Sequence, residues 1–503
     1  MASPETRVPS PFAGQHPCQW SGPLVRSAAP AALLTSSHLR SQSVRARRKP
    51  GKRTAPRRVV MTSKQRTGIA VAFTTVGALS LALLSPTAQA GADGVRPECP
   101  RGLECDWVPA AYQQTGDPAD KETYGNYDTA DRPHSNKIKF IVLHDTEEDF
   151  DTTLDIFQNP LKQTSAHYVV RSGDGHVTQM VKGKDVAWQA GNWYLNSNSI
   201  GIEQEGVAVD GAKWYTPEMY RSTAALVRYL AAKYDIPLDR QHIIGHDGVP
   251  PTSAAGTAGM HWDPGTYWDW NRFMALLGRP TLPTARKNSE LVTVSPRFKE
   301  NKQAFRDCEK NVDLPVQGSS AVPLHTEPAT DAPLFSDPGL HKDGSPGTNC
   351  AADWGSKISA TQQAVVAGHA PGWTAIWWYG RKAWFETPAG ARTTTPTAGY
   401  VVRPKAGRAE VPVYGVAYPE KSEYPEGFAD KRVGAPLQYT IKAGQSYPGG
   451  GEAPTGFYYA PTIDASLPLD HSFFRGKEKY VTVQIGHRIA FVKAADVDIV
   501  RAH

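Results

Sequence analysis

Between Lys137 and Pro280 the chain alternates short apolar runs with stretches of helical period, which predicts a sheet covered by helices. The apolar run 138–143 predicts a buried strand whose last side chain, His144, is delivered to the sheet edge. Residues 151–157 read as a short helix stopped near Pro160, and 167–171 with 176–181 as a hairpin around Ser172-Gly173-Asp174-Gly175. In the strand predicted at 199–205, the period of two puts Gly201, Glu203 and Glu205 on one face and Ile200 and Ile202 on the other. The clearest helix is capped by Thr216 and starts at Pro217. Met219, Thr223, Leu226 and Leu230 share one of its faces, and it runs to about Tyr234. A strand at 242–244 leads to His246, and a last helix at 269–277 is closed by Gly278 and Pro280.

Beyond Leu282 the helical period disappears. A charged stretch, 297–310, precedes a region rich in Pro, Gly, Thr and Trp with a weak internal repeat. Residues 322–325 (VPLH) are echoed by 411–414 (VPVY), and 376–386 by 481–492, with Gly380 aligned to Gly486 and Phe385 to Phe491. Short strands, turns and duplication predict two small β-barrels.

The first 90 residues change the reading of charge. They hold 13 Lys/Arg and one acidic residue of the chain's 55 and 49, so from Gly91 onward 42 basic and 48 acidic residues remain, a net charge of about −6. No basic nucleic-acid surface follows. The basic excess belongs to a leader: Lys64 and Arg66 precede the apolar segment 69–84, then Pro86 and Ala88-Gln89-Ala90. That pattern predicts a signal peptide at 61–90, cut after Ala90, in preference to a membrane anchor, with 1–60 a disordered or non-native extension. The chain from Gly91 then has no stable membrane span, and export implies an oxidising compartment. Of the three pairings open to Cys99, Cys105, Cys308 and Cys350, Cys99 with Cys105 and Cys308 with Cys350 is favoured, because each pair falls within one module.

His144, His246 and Asp263 are the candidate metal ligands: two end apolar strands, and the third sits in a Trp-Asp-Pro-Gly turn. Two imidazoles and one carboxylate leave the fourth tetrahedral position of Zn²⁺ open for water, a catalytic arrangement. A lone histidine at a strand end is usually just a satisfied polar residue; three ligand types converging is the stronger signal. His242 is a rival ligand, but it begins the strand that His246 ends, roughly 13 Å away at about 3.3 Å per residue. A base for the bound water is one of the two glutamates on the Gly201 face, Glu203 or Glu205. His261, two residues before Asp263, is the candidate electrophile.

These residues carry a resemblance to the zinc-dependent N-acetylmuramoyl-L-alanine amidases, which share their fold with the peptidoglycan recognition proteins. VLHDT, SAHYVV, VAWQAGN, SIGIEQEG, GHDGV and HWDPG occur in the family's order across 137–280. The resemblance implies an α/β domain with a mixed central sheet flanked by helices. It implies ligands at His144, His246 and Asp263, a catalytic glutamate at Glu203, and a lysine-or-histidine position at His261. His167, Trp188 and Asn192 fall in regions that line the family's substrate groove. Many members have a second His after the first ligand and read W-H-A-G, where this chain has Asp145 and Gln189.

By the same resemblance, the substrate is peptidoglycan and the bond cut joins N-acetylmuramic acid to L-alanine of the stem peptide. The C-terminal barrels resemble bacterial SH3-like modules. The expected organisation is a lead-in at 91–136, the zinc amidase domain at 137–280, a linker at 281–318, and β modules at 319–395 and 396–503, in a secreted, wall-associated enzyme. The opposing reading is a recognition protein that binds peptidoglycan without cutting it; such relatives have lost the third ligand, which Asp263 supplies here. H-E-x-x-H and G-x-S-x-G motifs are absent from the sequence.

Overall fold

The strand that carries His144 as its penultimate residue lies inside a sheet, flanked on both sides. In the computed structural model, which describes residues 94–502, strands Cys105–Trp107 (β1), Phe140–Asp145 (β2), Tyr168–Val170 (β3), Val177–Gln179 (β4), Ser199–Gln204 (β5) and Ile243–Gly245 (β6) are ordered β1-β4-β3-β5-β2-β6. Only the β3–β4 pair, the predicted hairpin, is antiparallel. Every residue of β2 is buried, which explains its nearly unbroken apolar run.

Besides the single turn Gly211–Trp214, four helices cover this sheet: Phe150–Gln158 (α1), Trp193–Asn198 (α2), Pro217–Tyr234 (α3) and Trp270–Leu276 (α4). The Thr216 side chain caps α3 by accepting from the Met219 N–H at 3.2 Å, and Met219, Thr223, Leu226 and Leu230 are buried. Met219, Leu226 and Leu230 share a core with Ile141, Leu143, Ile200, Ile202 and Trp268. On the opposite face, Phe140, Val142 and Ile244 pack with Tyr194 and Leu195 of α2 and with Tyr414, Val416 and Phe491 of the C-terminal region. Six residues give α2 no periodic signal in sequence; the Asn192 side chain starts it by accepting from the Leu195 N–H at 3.2 Å.

Two segments do more than the sequence reading expected. The lead-in, 91–136, supplies β1 and the buried Arg132, whose guanidinium donates to carbonyls of Gly183, Asp185 and Ser199. The expected linker, 281–318, supplies strand Leu291–Val294, which lies between Gln363–Ala370 and Thr394–Pro396 in a five-stranded sheet. A seven-stranded sheet follows within 399–502. The two repeated hairpins, Trp373–Trp378 with Arg381–Glu386 and Tyr480–Ile485 with Arg488–Lys493, are present one residue out of the register read from sequence. Arg381 corresponds to Arg488, so Phe385 matches Val492. Both sit in the same core, while Phe491 turns to the opposite face and meets Tyr194, ring centroids 5.0 Å apart.

Cys99–Cys105 and Cys308–Cys350 are disulfide-bonded. The expected signal peptide, 61–90, and the expected N-terminal extension, 1–60, lie outside the described residues. Among the described residues no helix is long and apolar enough to cross a membrane.

Candidate metal centre

Parallel strands deliver their C-terminal ends to one sheet edge, and the ligand-type residues converge there. His144 leaves β2, His246 begins the short turn after β6, and Asp263 lies in the turn before α4. One donor atom from each falls within 4.8 Å of the others, and all three residues are buried. His144 Nδ1 is 3.1 Å from His246 Nδ1 and 3.4 Å from Asp263 Oδ2, and His246 Nδ1 is 3.2 Å from Asp263 Oδ1. A tetrahedral set at bonds of about 2.0–2.1 Å has donor–donor edges of about 3.3 Å, so the donors fit one small cation.

Charge agrees with that fit. Burial opposes ionisation of Asp263, yet the three imidazoles of His246, His144 and His261 hold it well below the usual carboxylate range. Burial pushes His246 down to about 4, so it stands neutral with a lone pair available. Burial also acts to lower His144, but Glu203 and Asp263 reverse the shift and raise it. The pocket favours positive charge between two carboxylates, a charge that a metal ion supplies as well as a proton does. The Asp145 N–H, donating to Asp263 Oδ2 at 3.2 Å, fixes the carboxylate's rotation.

The register of β2 on β5 pairs His144 with Glu203, whose Oε1 is 4.0 Å from His144 Nδ1. Burial, reinforced by Asp263, pushes Glu203 up to about 7, and its Oε2 is buried without a hydrogen-bond partner. Glu205 is occupied elsewhere: its two oxygens accept from the backbone N–H groups of Phe150 at 3.1 Å and Ser172 at 2.6 Å. His261 is partly exposed at the rim. Its Nδ1 lies 3.6 Å from Asp263 Oδ1, and its ring lies 4.6 Å from that of His246.

The residues expected to line a groove fare differently. His167 is fully buried: its Nδ1 accepts from the Gly201 N–H at 3.0 Å and its Nε2 is 2.9 Å from Arg132, so it presents no surface to substrate. Asn192 is also fully buried, as the α2 cap, with its amide donating to the carbonyls of Pro250 and Gly415. Trp188 is only partly buried, and its indole N–H donates to Asp128 at 2.5 Å. His242 pairs with Asp239 at 2.7 Å at the opposite end of β6. Sequence reasoning missed Gln189 as a partner of His144; the only signal was its departure from the family's W-H-A-G.

The loop from His246 to Asp263 is held from outside by the β modules. Arg488 donates to the Val249 carbonyl at 3.2 Å, Gln438 to Thr257 Oγ1 at 3.0 Å, and the Trp354 indole to the Trp262 carbonyl at 2.9 Å. Gly415 passes so close to the Pro251 carbonyl that a Cβ there would stand 1.7 Å from the oxygen.

Comparison with known proteins places this site in a described family. The family profile for N-acetylmuramoyl-L-alanine amidase matches residues 134–266. N-acetylmuramoyl-L-alanine amidase A of Achromobacter lyticus is 32% identical over 163 residues, covering 30% of this chain and 88% of the relative. The amidase AmiD of Escherichia coli K12 is 28% identical over 169 residues, covering 30% of this chain and 57% of the relative. The 1,6-anhydro-N-acetylmuramyl-L-alanine amidase AmpD of Salmonella typhimurium SL1344 is 36% identical over 121 residues, covering 23% of this chain and 58% of the relative. The chain thus spans less than two thirds of the latter two.

Proposed function

Because the chain belongs to the N-acetylmuramoyl-L-alanine amidase family, we propose that its metal centre holds zinc and cleaves the amide between the lactyl group of N-acetylmuramic acid and L-alanine in peptidoglycan. The observation that carries this reading is the convergence of His144, His246 and Asp263, with Glu203 beside them. A zinc ion held by those donors would bring the pKa of a bound water to about 7 and polarise the scissile carbonyl.

This chain's own residues do the rest. Glu203, with Oε2 buried and unpartnered, takes the proton of the attacking water and returns it to the departing alanine nitrogen. His261, at the rim, donates to the oxygen of the tetrahedral species. A recognition protein without turnover has no need of a buried carboxyl shifted toward neutrality beside a complete ligand set. The Ala88-Gln89-Ala90 site and the two disulfides support an exported, wall-associated enzyme. Digestion of purified peptidoglycan followed by mass spectrometry tests the reading: stem peptides with a new L-alanine amino terminus support it, and intact muropeptides refute it.

A further inference from the structure

Gln189 stands where many family members have histidine, and its surroundings fix which way its amide points. The Ser199 hydroxyl donates to the Leu195 carbonyl at 2.6 Å, so toward Gln189 that hydroxyl can only accept. It accepts from Gln189 Nε2 at 2.7 Å, which turns Gln189 Oε1 toward His144 Nε2, with which it is hydrogen-bonded. An amide oxygen cannot donate. His144 therefore carries its proton on Nε2, and the lone pair of the neutral ring sits on Nδ1, the nitrogen that faces His246 and Asp263. Space for this arrangement comes from Gly201 of β5, where a Cβ would stand 2.8 Å from Gln189 Cγ and Cδ. The second imidazole has no equivalent support: His246 Nε2 is buried without a hydrogen-bond partner.

We infer that Gln189 is a positioning residue that sets the tautomer and ring orientation of His144 for metal binding, through a hydrogen-bond chain in which His144 donates to Gln189, Gln189 to Ser199 and Ser199 to the Leu195 carbonyl. The inference rests on the metal-centre reading proposed above. Outer-sphere partners of ligating histidines are worth about 10–100-fold in metal affinity, which sets the size of the expected effect. Gln189→Leu removes the acceptor at similar volume, and Gln189→Glu keeps one.

The test uses the full chain, 15N-labelled at histidine and free of metal, at a pH alkaline enough that the raised His144 is neutral, with the His144 signals identified by their loss in His144→Asn. The wild type is expected to show Nε2 protonated and Nδ1 bare, Gln189→Glu to retain that pattern, and Gln189→Leu to show a mixture of tautomers. Competition against a chromophoric chelator should give zinc binding 10–100-fold weaker for Gln189→Leu and near wild type for Gln189→Glu. Unchanged tautomer and unchanged zinc affinity in Gln189→Leu overturn the role of Gln189. A wild-type chain that binds no zinc overturns the metal reading, while the tautomer pattern still decides the role of Gln189. Should Gln189→Leu fail to fold, a wild-type His144 protonated on Nδ1 and bare on Nε2 overturns the inference on its own.

Discussion

His144 and Glu203 are register partners on neighbouring parallel strands, so their side chains leave the same face of the sheet and meet 4.0 Å apart. A ligand and a proton acceptor are thereby placed by backbone hydrogen bonding. Glu203→Gln should leave that backbone and the zinc content unchanged and lower turnover by about 10²–10⁴, the usual worth of a positioned base. Metal analysis alongside a peptidoglycan release assay checks this, and loss of zinc would make Glu203 a ligand.

Asp263 is expected to behave in the opposite way. Its two oxygens face the two ligand imidazoles, so Asp263→Ala should lose the metal and, with it, activity. A metal-loaded Asp263→Ala variant would show that the ligand set lies elsewhere.

For His261 the requirement is a donor at the rim, which lysine also supplies. His261→Lys should keep measurable activity with a shifted pH dependence, whereas His261→Ala should lose about 10²–10³ in turnover with zinc content unchanged. Normal turnover in His261→Ala would reduce the residue to part of the wall.

Much of this site was legible in sequence because strand ends and turns carry local signals. His144, His246, Asp263 and His261 each follow or precede a recognisable run, and the Thr216 cap marked the start of α3. Glu203 could not be separated from Glu205 by periodicity, since both share one face; only the backbone N–H groups of Phe150 and Ser172 show which is occupied. The burial of His167 and Asn192 was invisible because Arg132 and Gly415, which cover them, come from distant parts of the chain. The repeat in the β modules slipped by one residue because Gly380 and Gly486 occupy different positions of their two-residue turns, Tyr379-Gly380 and Gly486-His487.

Asp128 offers a test away from the metal. It is buried and accepts from Tyr124 and Trp188, and burial pushes its carboxyl from an ordinary 3.8 up to about 7. Between about pH 4 and 7 the folded state therefore keeps a proton that the unfolded chain has released, so this group's contribution to stability falls as pH rises through that window. Asp128→Asn should abolish this fall, at most about 4 kcal/mol at three pK units, and melt above the wild type by a margin that grows from pH 4 to pH 8. A constant margin would place the titration elsewhere.

The modules' hold on the metal loop is testable at Trp354. Trp354→Phe keeps the ring but strips the Trp262 carbonyl of its donor, a loss of about 1–3 kcal/mol if the carbonyl stays buried. Hydrogen exchange should quicken at 249–262 and zinc should bind more weakly. Exchange that is unchanged there would leave the loop independent of the modules.

The most direct measurement is zinc reconstitution of the chelated enzyme, followed as release of stem peptides from peptidoglycan. The expected result is no turnover before addition, a linear rise with zinc to one equivalent, and a plateau beyond it. Full turnover by the chelated, demonstrably metal-free enzyme would contradict a metal-dependent amidase at His144, His246 and Asp263.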